Sequence, residues 1–298
     1  TGYFSGTANF GSHPITSISG RDIFLARIDT AGQFLWAKGA GGILYDYGTD
    51  VAADSTGNVY LTGYFSSNAA FDTMVVVGSG SADAFISKAD KSGKFLWVKP
   101  VGGTSNDYSW GITTDRIGNS VIAGYFEGSM QSGGTTLTSA GGTDVFLVAF
   151  NKNGEAQWAQ SGGGPQYDYL SDVLLTSDGS VYITGRFEGT AGFQQKSLTS
   201  LGSSDAFIVK YSPVGNTEWA TQIGSASVDY GNGISSEAAG HIYTVGYHSN
   251  ASFGNITNVP LRGYITRINT LTGLKEIDGT TPSGFALDQN FPNPFNPS

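Results

Sequence analysis

Residues 41–65, GGILYDYGTDVAADSTGNVYLTGYF, decide how the chain is read. From Gly48 the stretch GTDVAAD alternates apolar and polar positions, STG reads as a turn, and NVYLTGYF alternates again. A longer polar stretch follows, then AFISKAD, the turn KSG, and KFLWVKP. Runs of about 4–8 residues with period two, bounded by Gly, Ser, Asp and Asn, are the signature of strands joined by tight turns. The unit predicts four antiparallel strands, and no segment carries a sustained helical stripe.

Outward from this stretch the same text returns. TGYFS at Thr1 recurs as TGYFS at Thr62, AGYFE at Ala123, TGRFE at Thr184 and VGYHS at Val245, each start 61 residues after the last (62−1, 123−62, 184−123, 245−184). Trp36, Trp97, Trp158 and Trp219 keep the step, as do Gly32, Gly93, Gly154 and Gly215. So do Asp22, Asp83, Asp144 and Asp205, and the pairs Asp46-Tyr47, Asp107-Tyr108, Asp168-Tyr169 and Asp229-Tyr230. Tandem units that each make one small sheet bury their faces only against neighbours, which predicts an all-β propeller of four-stranded antiparallel blades. The expected boundaries are a partial blade at 1–42 and complete ones at 45–101, 106–163, 167–224 and 228–279, four complete repeats in all. Thr1 falls inside an expected strand and the chain does not begin with Met, so the sequence reads as part of a larger propeller.

The stretch 41–65, with SADAFISKADKSGKFLW after it, resembles the seven-bladed β-propeller repeat known as the SBBP repeat. The resemblance spans about residues 1–279 and departs at the Trp after the Gly turn, where the family more often has Tyr. It implies the propeller fold and names no chemistry. The Asp-x-x-Gly-x-x-x-Trp spacing is also similar to that of pyrroloquinoline-quinone propellers, which implies Trp side chains docking between blades.

Residues 280–284 read as a linker, and 285–298, FALDQNFPNPFNPS, break the repeat. Pro292, Pro294 and Pro297 exclude a central strand. Asn290, Pro292, Asn293, Pro294, Phe295, Asn296 and Pro297 resemble the opening of the type IX secretion C-terminal sorting domain. That resemblance implies a secreted or outer-membrane-surface protein of a Bacteroidetes-type bacterium, with the type IX machinery as a partner.

Composition narrows the partners. The chain has 298 residues, net charge −9 and no Cys. Without a run of Lys or Arg, nucleic acid and anionic membrane surfaces are poor partners. Without Cys there is neither a disulfide nor a thiolate metal site. No apolar run reaches the ~20 residues of a membrane helix.

Two carboxylate rings are expected on one propeller face, the Asp46, Asp107, Asp168, Asp229 ring and the Asp22, Asp83, Asp144, Asp205 ring. One reading makes them Ca²⁺ ligands, with Tyr47, Tyr108, Tyr169 and Tyr230 as sugar-stacking rings. The other makes each Asp a turn cap and each Tyr packing between blades. The Trp column is expected to be buried. Trp110 lies outside it, beside Tyr108, and is the candidate for a role in one blade alone.

His13, His241 and His248 lack metal-ligand spacing, and no nucleophile elbow or phosphate loop is present. A catalytic residue is therefore not nominated. The expected function is a non-catalytic binding, adhesion or scaffold module for a glycan or surface protein. The alternative is a secreted glycan- or polymer-degrading enzyme with this propeller as catalytic or accessory domain.

Overall fold

The computed structural model describes residues 1–237, 240–248, 262–268 and 275–276. The linker 280–284 and the segment 285–298, with its sorting-domain resemblance, lie outside the described residues. Among the described residues all regular structure is strand.

The repeat folds as its alternation predicts. Asp46–Ala53, Val59–Phe65, Asp83–Ala89 and Phe95–Gly103 pair antiparallel in sequence order. Asp107–Thr114, Ser120–Ser132, Thr135–Phe150 and Ala156–Gly162 do the same. So do Tyr169–Leu175, Val181–Phe187, Asp205–Tyr211 and Thr217–Ile223. Tyr230–Ser236, Ile242–His248, Arg262–Ile268 and Lys275–Glu276 form a further four-stranded sheet, and Gly2–Phe4, Asp22–Ile28 and Phe34–Ala40 a three-stranded one.

The turns explain the punctuation in the sequence. In the third-to-fourth-strand turn the side chain of Asp29, Asp90 or Asn151 accepts the N–H groups two and four residues on, at 2.8–3.1 Å. Gly93 then takes φ +83, a left-handed conformation that is free of strain only for glycine.

The polar stretch between second and third strands holds a feature that its composition hides. It folds back as a small hairpin, Thr7–Phe10 with His13–Thr16, Asn68–Phe71 with Met74–Val77, and Thr190–Phe193 with Lys196–Thr199. In the unit that begins at Asp107 the hairpin is continuous with the long second and third strands, where Ser129–Ser132 pairs Thr135–Thr138; the same stretch of the last unit lies outside the described residues. The alternation is only four residues long here, and positive-φ turn residues are Asp72 and Gln194 as well as Gly11 and Gly133, so no constant glycine marks the turn. The hairpin reaches backward. Gly102 and Gly103, ending one sheet, pair with Gln131 and Met130 in the hairpin of the next, and Gly41 bridges Ala70 as Gly163 bridges Gly192.

The hydrophobic core sits between sheets. One cluster joins Val121, Val145 and Leu147 to Ile183, Phe187 and Phe207 of the following sheet, and another joins Ile86 and Val101 to Ile122, Phe146 and Val148. Each fully buried side chain of this size contributes roughly 1.5–3 kcal/mol, so packing against its neighbours stabilises each sheet.

Tryptophan closes each junction from the outside. Trp36, Trp97 and Trp158 lie against the turn glycine of the next sheet, where a Cβ on Gly93, Gly154 or Gly215 would come within 2.8–3.0 Å of the indole. Trp36 and Trp158 also donate Nε1–H at 3.1 Å to the carbonyls of Lys91 and Pro213. Full burial was expected of this column, and it holds for Trp219 alone; Trp36, Trp97 and Trp158 are half-buried.

Candidate functional site

The two Asp columns come together at every junction. A parallel bridge joins the start of one sheet's third strand to the start of the next sheet's first strand, at Arg21 with Tyr45, Ala82 with Asn106 and Ser204 with Val228. The N–H of Asp46, Asp107, Asp168 and Asp229 donates to the carbonyl of Arg21, Ala82, Thr143 and Ser204 at 2.7–2.9 Å. That carbonyl immediately precedes Asp22, Asp83, Asp144 or Asp205, so the columns lie side by side.

Each carboxylate closes its own turn. Asp46, Asp107, Asp168 and Asp229 accept the N–H of Gly42, Gly103, Gly164 and Ser225, four residues earlier, at 2.7 Å. Asp22, Asp83, Asp144 and Asp205 accept from Ile18, Ser79, Ala140 and Leu201, again four residues earlier, at 2.8–3.0 Å. All eight side chains are buried, at 3% exposure or less. Burial pushes Asp46 and Asp144 up to about 6, and Asp107 and Asp168 up to about 7. The hydrogen bonds pull down, while the neighbouring carboxylate across the junction adds to the rise in Asp46, Asp107 and Asp168.

Between the columns stands glycine. A Cβ on Gly102 would fall 2.3 Å from Asp83 Oδ1 and 3.0 Å from Asp107 Oδ2. Each junction thus offers two carboxylates, whereas Ca²⁺ takes about 6–8 oxygens. Among the described residues no group of three or more His, Asp or Glu gathers in a metal-binding set.

The tyrosines do something different. Tyr47, Tyr108, Tyr169 and Tyr230 are half-buried, and each follows a buried Asp into the first strand. Between them lie residues of the second strands, in the column Tyr3, Tyr64, Tyr125, Arg186, Tyr247. The two columns interleave into one belt. Ring centroids are 4.8 Å apart for Tyr3–Tyr47, 4.7 Å for Tyr47–Tyr64 and for Tyr64–Tyr108, 5.5 Å for Tyr108–Tyr125 and 4.9 Å for Tyr125–Tyr169. Arg186 continues it, with its guanidinium 4.6 Å from the Tyr169 ring and 4.9 Å from Tyr230, which lies 6.3 Å from Tyr247.

Trp110 joins the belt because of a bulge. In every complete sheet the register slips in the first strand, between Gly48 and Asp50, Ser109 and Gly111, Leu170 and Asp172, and Gly231 and Gly233. The extra residue is Thr49, Trp110, Ser171 or Asn232. An extra residue left out of the ladder is re-aimed, and in one sheet it is an indole, stacked 6.2 Å from Tyr125.

The belt is open to solvent. Tyr3, Trp110 and Tyr247 are between 38% and 51% exposed, and two exposed rings flank them, Tyr167 stacked 6.4 Å from Tyr169 and Tyr45 5.7 Å from the Arg21 guanidinium. Arg21, also exposed, lies 4.9 Å from the Tyr3 ring and donates Nη1–H to Tyr47 Oη. Of the residues expected here, the tyrosines and Trp110 form one surface, and the Asp columns lie buried beside it. The second-strand column and both arginines were not nominated from sequence, although TGYFS, AGYFE and TGRFE displayed that column in the repeat itself. Two grooves lie away from the belt. One of about 470 Å³ has Trp158, Pro213 and Asp115 in its walls, and one of about 420 Å³ has Asp83, Gly102 and Thr136.

Comparison with known proteins agrees with the repeat. Residues 35–68 match the family model described as a beta-propeller repeat, SBBP. The chain is 25% identical over 295 residues to an uncharacterized WD repeat-containing protein, L264, of Acanthamoeba polyphaga mimivirus, covering 86% of this chain and 20% of that protein. It is 26% identical over 320 residues to the regulatory protein FlaEY of Caulobacter vibrioides, covering 95% of this chain and 33% of that one. The chain therefore spans about a fifth and a third of the length of these curated relatives. A solved structure of a protein of unknown function from Bacteroides caccae aligns over 82% of this chain and 64% of that one, at TM-score 0.41 and 9% identity. The all-β sheets and the matched repeat support a repeat β-propeller protein.

Proposed function

We propose that this repeat β-propeller is a binding module and that the aromatic belt is its recognition face, which takes a glycan polymer. The observation that carries the reading is the exposure of Tyr3, Trp110, Tyr167 and Tyr247, each in ring contact with the belt. Isolated exposed aromatics are ordinary, but a contiguous exposed aromatic patch marks an interaction surface. Tyr and Trp present rigid apolar faces and a polar tip at low entropic cost, which suits the C–H faces and hydroxyls of sugars.

The reading is non-catalytic. The recurring carboxylates, including Asp46, Asp107, Asp144 and Asp168 whose pKa burial raises, are buried and accept backbone N–H groups, out of reach of a bound polymer. We further propose that the protein acts at the outer-membrane surface or after release, exported by type IX secretion. Support for this is the match of Asn290, Pro292, Asn293, Pro294, Phe295, Asn296 and Pro297 to that sorting pattern. The four-stranded sheets are on this reading four complete blades, the three-stranded one a partial blade.

Calorimetric titration with soluble polysaccharides tests the binding. Trp110→Ala and Tyr167→Ala each should weaken binding by about tenfold, as loss of an interface aromatic does, with the melting temperature unchanged. Unaltered affinity in both variants overturns the belt as the recognition face. Fractionation of the producing cells tests the export, and a protein retained in the cytoplasm overturns it.

A further inference from the structure

The belt is aromatic at every second-strand position but one. The column reads Tyr3, Tyr64, Tyr125, Arg186, Tyr247, and Arg186 alone breaks it. Its guanidinium is held between two rings, 4.6 Å from Tyr169 and 4.9 Å from Tyr230. Nη1 donates to Tyr230 Oη at 2.8 Å, which fixes the plane and uses one of its five N–H donors.

Among the described residues no carboxylate forms an ion pair with it. The ion pairs among the described residues are Lys88–Asp54, Lys210–Glu218 and His241–Glu237, and none involves Arg186. This is unusual in a chain with 24 acidic and 15 basic residues. The carboxylate of Glu188, two residues on, is near enough to Asp168 to help raise its pKa. The other end of the belt repeats the arrangement, since Arg21 lies over Tyr3, Tyr45 and Tyr47 and also has no ion pair among the described residues.

A planar, pre-oriented guanidinium with unused donors matches a carboxylate, which it can hold with two parallel N–H···O bonds. The tyrosine faces on either side fit the apolar faces of the sugar that carries it. We infer that the polymer recognised by this face is acidic, a polyuronate, with one sugar carboxylate seated on Arg186 and another on Arg21. This rests on the belt being the glycan-binding face. The net charge of −9 repels a polyanion at long range, but beyond about 8 Å that repulsion is screened at physiological ionic strength, whereas contact with the arginines is not.

The test uses the whole chain and two forms of one backbone, polygalacturonate and its fully methyl-esterified derivative, titrated at equal sugar concentration. The acid form should bind about tenfold more tightly, the scale of a charge-assisted pair. Arg186→Tyr restores the repeat column and should keep the melting temperature while abolishing most of that preference. Arg186→Gln, read by the same ratio, serves if the Tyr variant fails to fold. Equal binding of the two forms by the native chain, or an undiminished preference in the Arg186 variant, overturns the inference and leaves the belt standing. Binding of neither form, together with no response to neutral glucans, overturns the belt itself.

Discussion

A single carboxylate, Asp107, illustrates how a recurring residue can be structural without being inert. Its Oδ2 accepts from Gly103 at 2.7 Å, but Oδ1 has no partner. The equivalent oxygens of Asp46 and Asp168 take the N–H of Ser66 and Glu188, whereas Glu127 N–H turns to the carbonyl of Asn106 at 3.0 Å. Burial, with Asp83 and Glu127 nearby, pushes Asp107 up to about 7. A folded-state pKa above the unfolded one means that the protonated form is the stabilising one. That contribution is complete below about pH 4 and is lost as pH rises through about 7. Asp107→Asn keeps the acceptor for Gly103 and removes the charge. The variant should match the native protein at pH 5 and melt at least as high at pH 8. A variant less stable at both pH values would mean that the ionised carboxylate is required. The residue scale also limits what sequence reveals. The spacing of Asp46 and Asp107 was visible, but whether either was exposed to a ligand depended on a junction formed with residues 24 positions away in the chain, as for Asp83 and Asp107.

At the scale of elements, the docking of one sheet's last strand on the next sheet's turn is the repeated contact. Trp97 lies on Gly154, whose φ of +76 and 3.0 Å separation from the indole each exclude a larger residue without rearrangement. Trp97→Ala should destabilise by about 2–4 kcal/mol, somewhat less than a fully enclosed aromatic. Gly154→Ala should also destabilise, by about 1–2 kcal/mol, because it strains the turn and displaces the ring. Denaturant unfolding measures both, and the double variant should cost less than the sum if the two groups form one contact. Additive losses would show that they act separately. Four strands per unit were legible because period-two alternation is a local consequence of the pleat. The inserted hairpin was not, since its strands are four residues long and three different residue types hold its positive-φ turn position.

For the whole molecule, the junction carboxylates act together. Asp46 and Asp144 titrate near 6, and Asp107 and Asp168 near 7. All four are raised by burial, so all four favour the folded state more at pH 5 than at pH 8. Asp54 opposes them only at lower pH, because hydrogen bonds from Asn58 and Thr56 outweigh its burial and hold it at about 2. The melting temperature should therefore fall by several degrees between pH 5 and pH 8, and a protein of this size loses about 2–4 °C per kcal/mol. A melting temperature that rises over that range would contradict the pairing of buried carboxylates. Millimolar Ca²⁺ should leave it unchanged at pH 8; an increase reversed by chelator would assign the junctions to the ion by mass action.

The sequence by itself determined the unit and its order. Strand alternation, turn chemistry and the 61-residue step are properties of neighbours along the chain, and they specify sheets that must stack to bury their faces. The use of each column was decided only by tertiary structure. Two Asp columns far apart within a repeat met across a junction and were buried, and two aromatic columns from different strands interleaved into an exposed belt. A bulge turned Trp110 outward, and Arg186 was set between Tyr169 and Tyr230 from adjacent sheets. Burial and exposure are relations between segments brought together by packing, so no spacing along one chain fixes them.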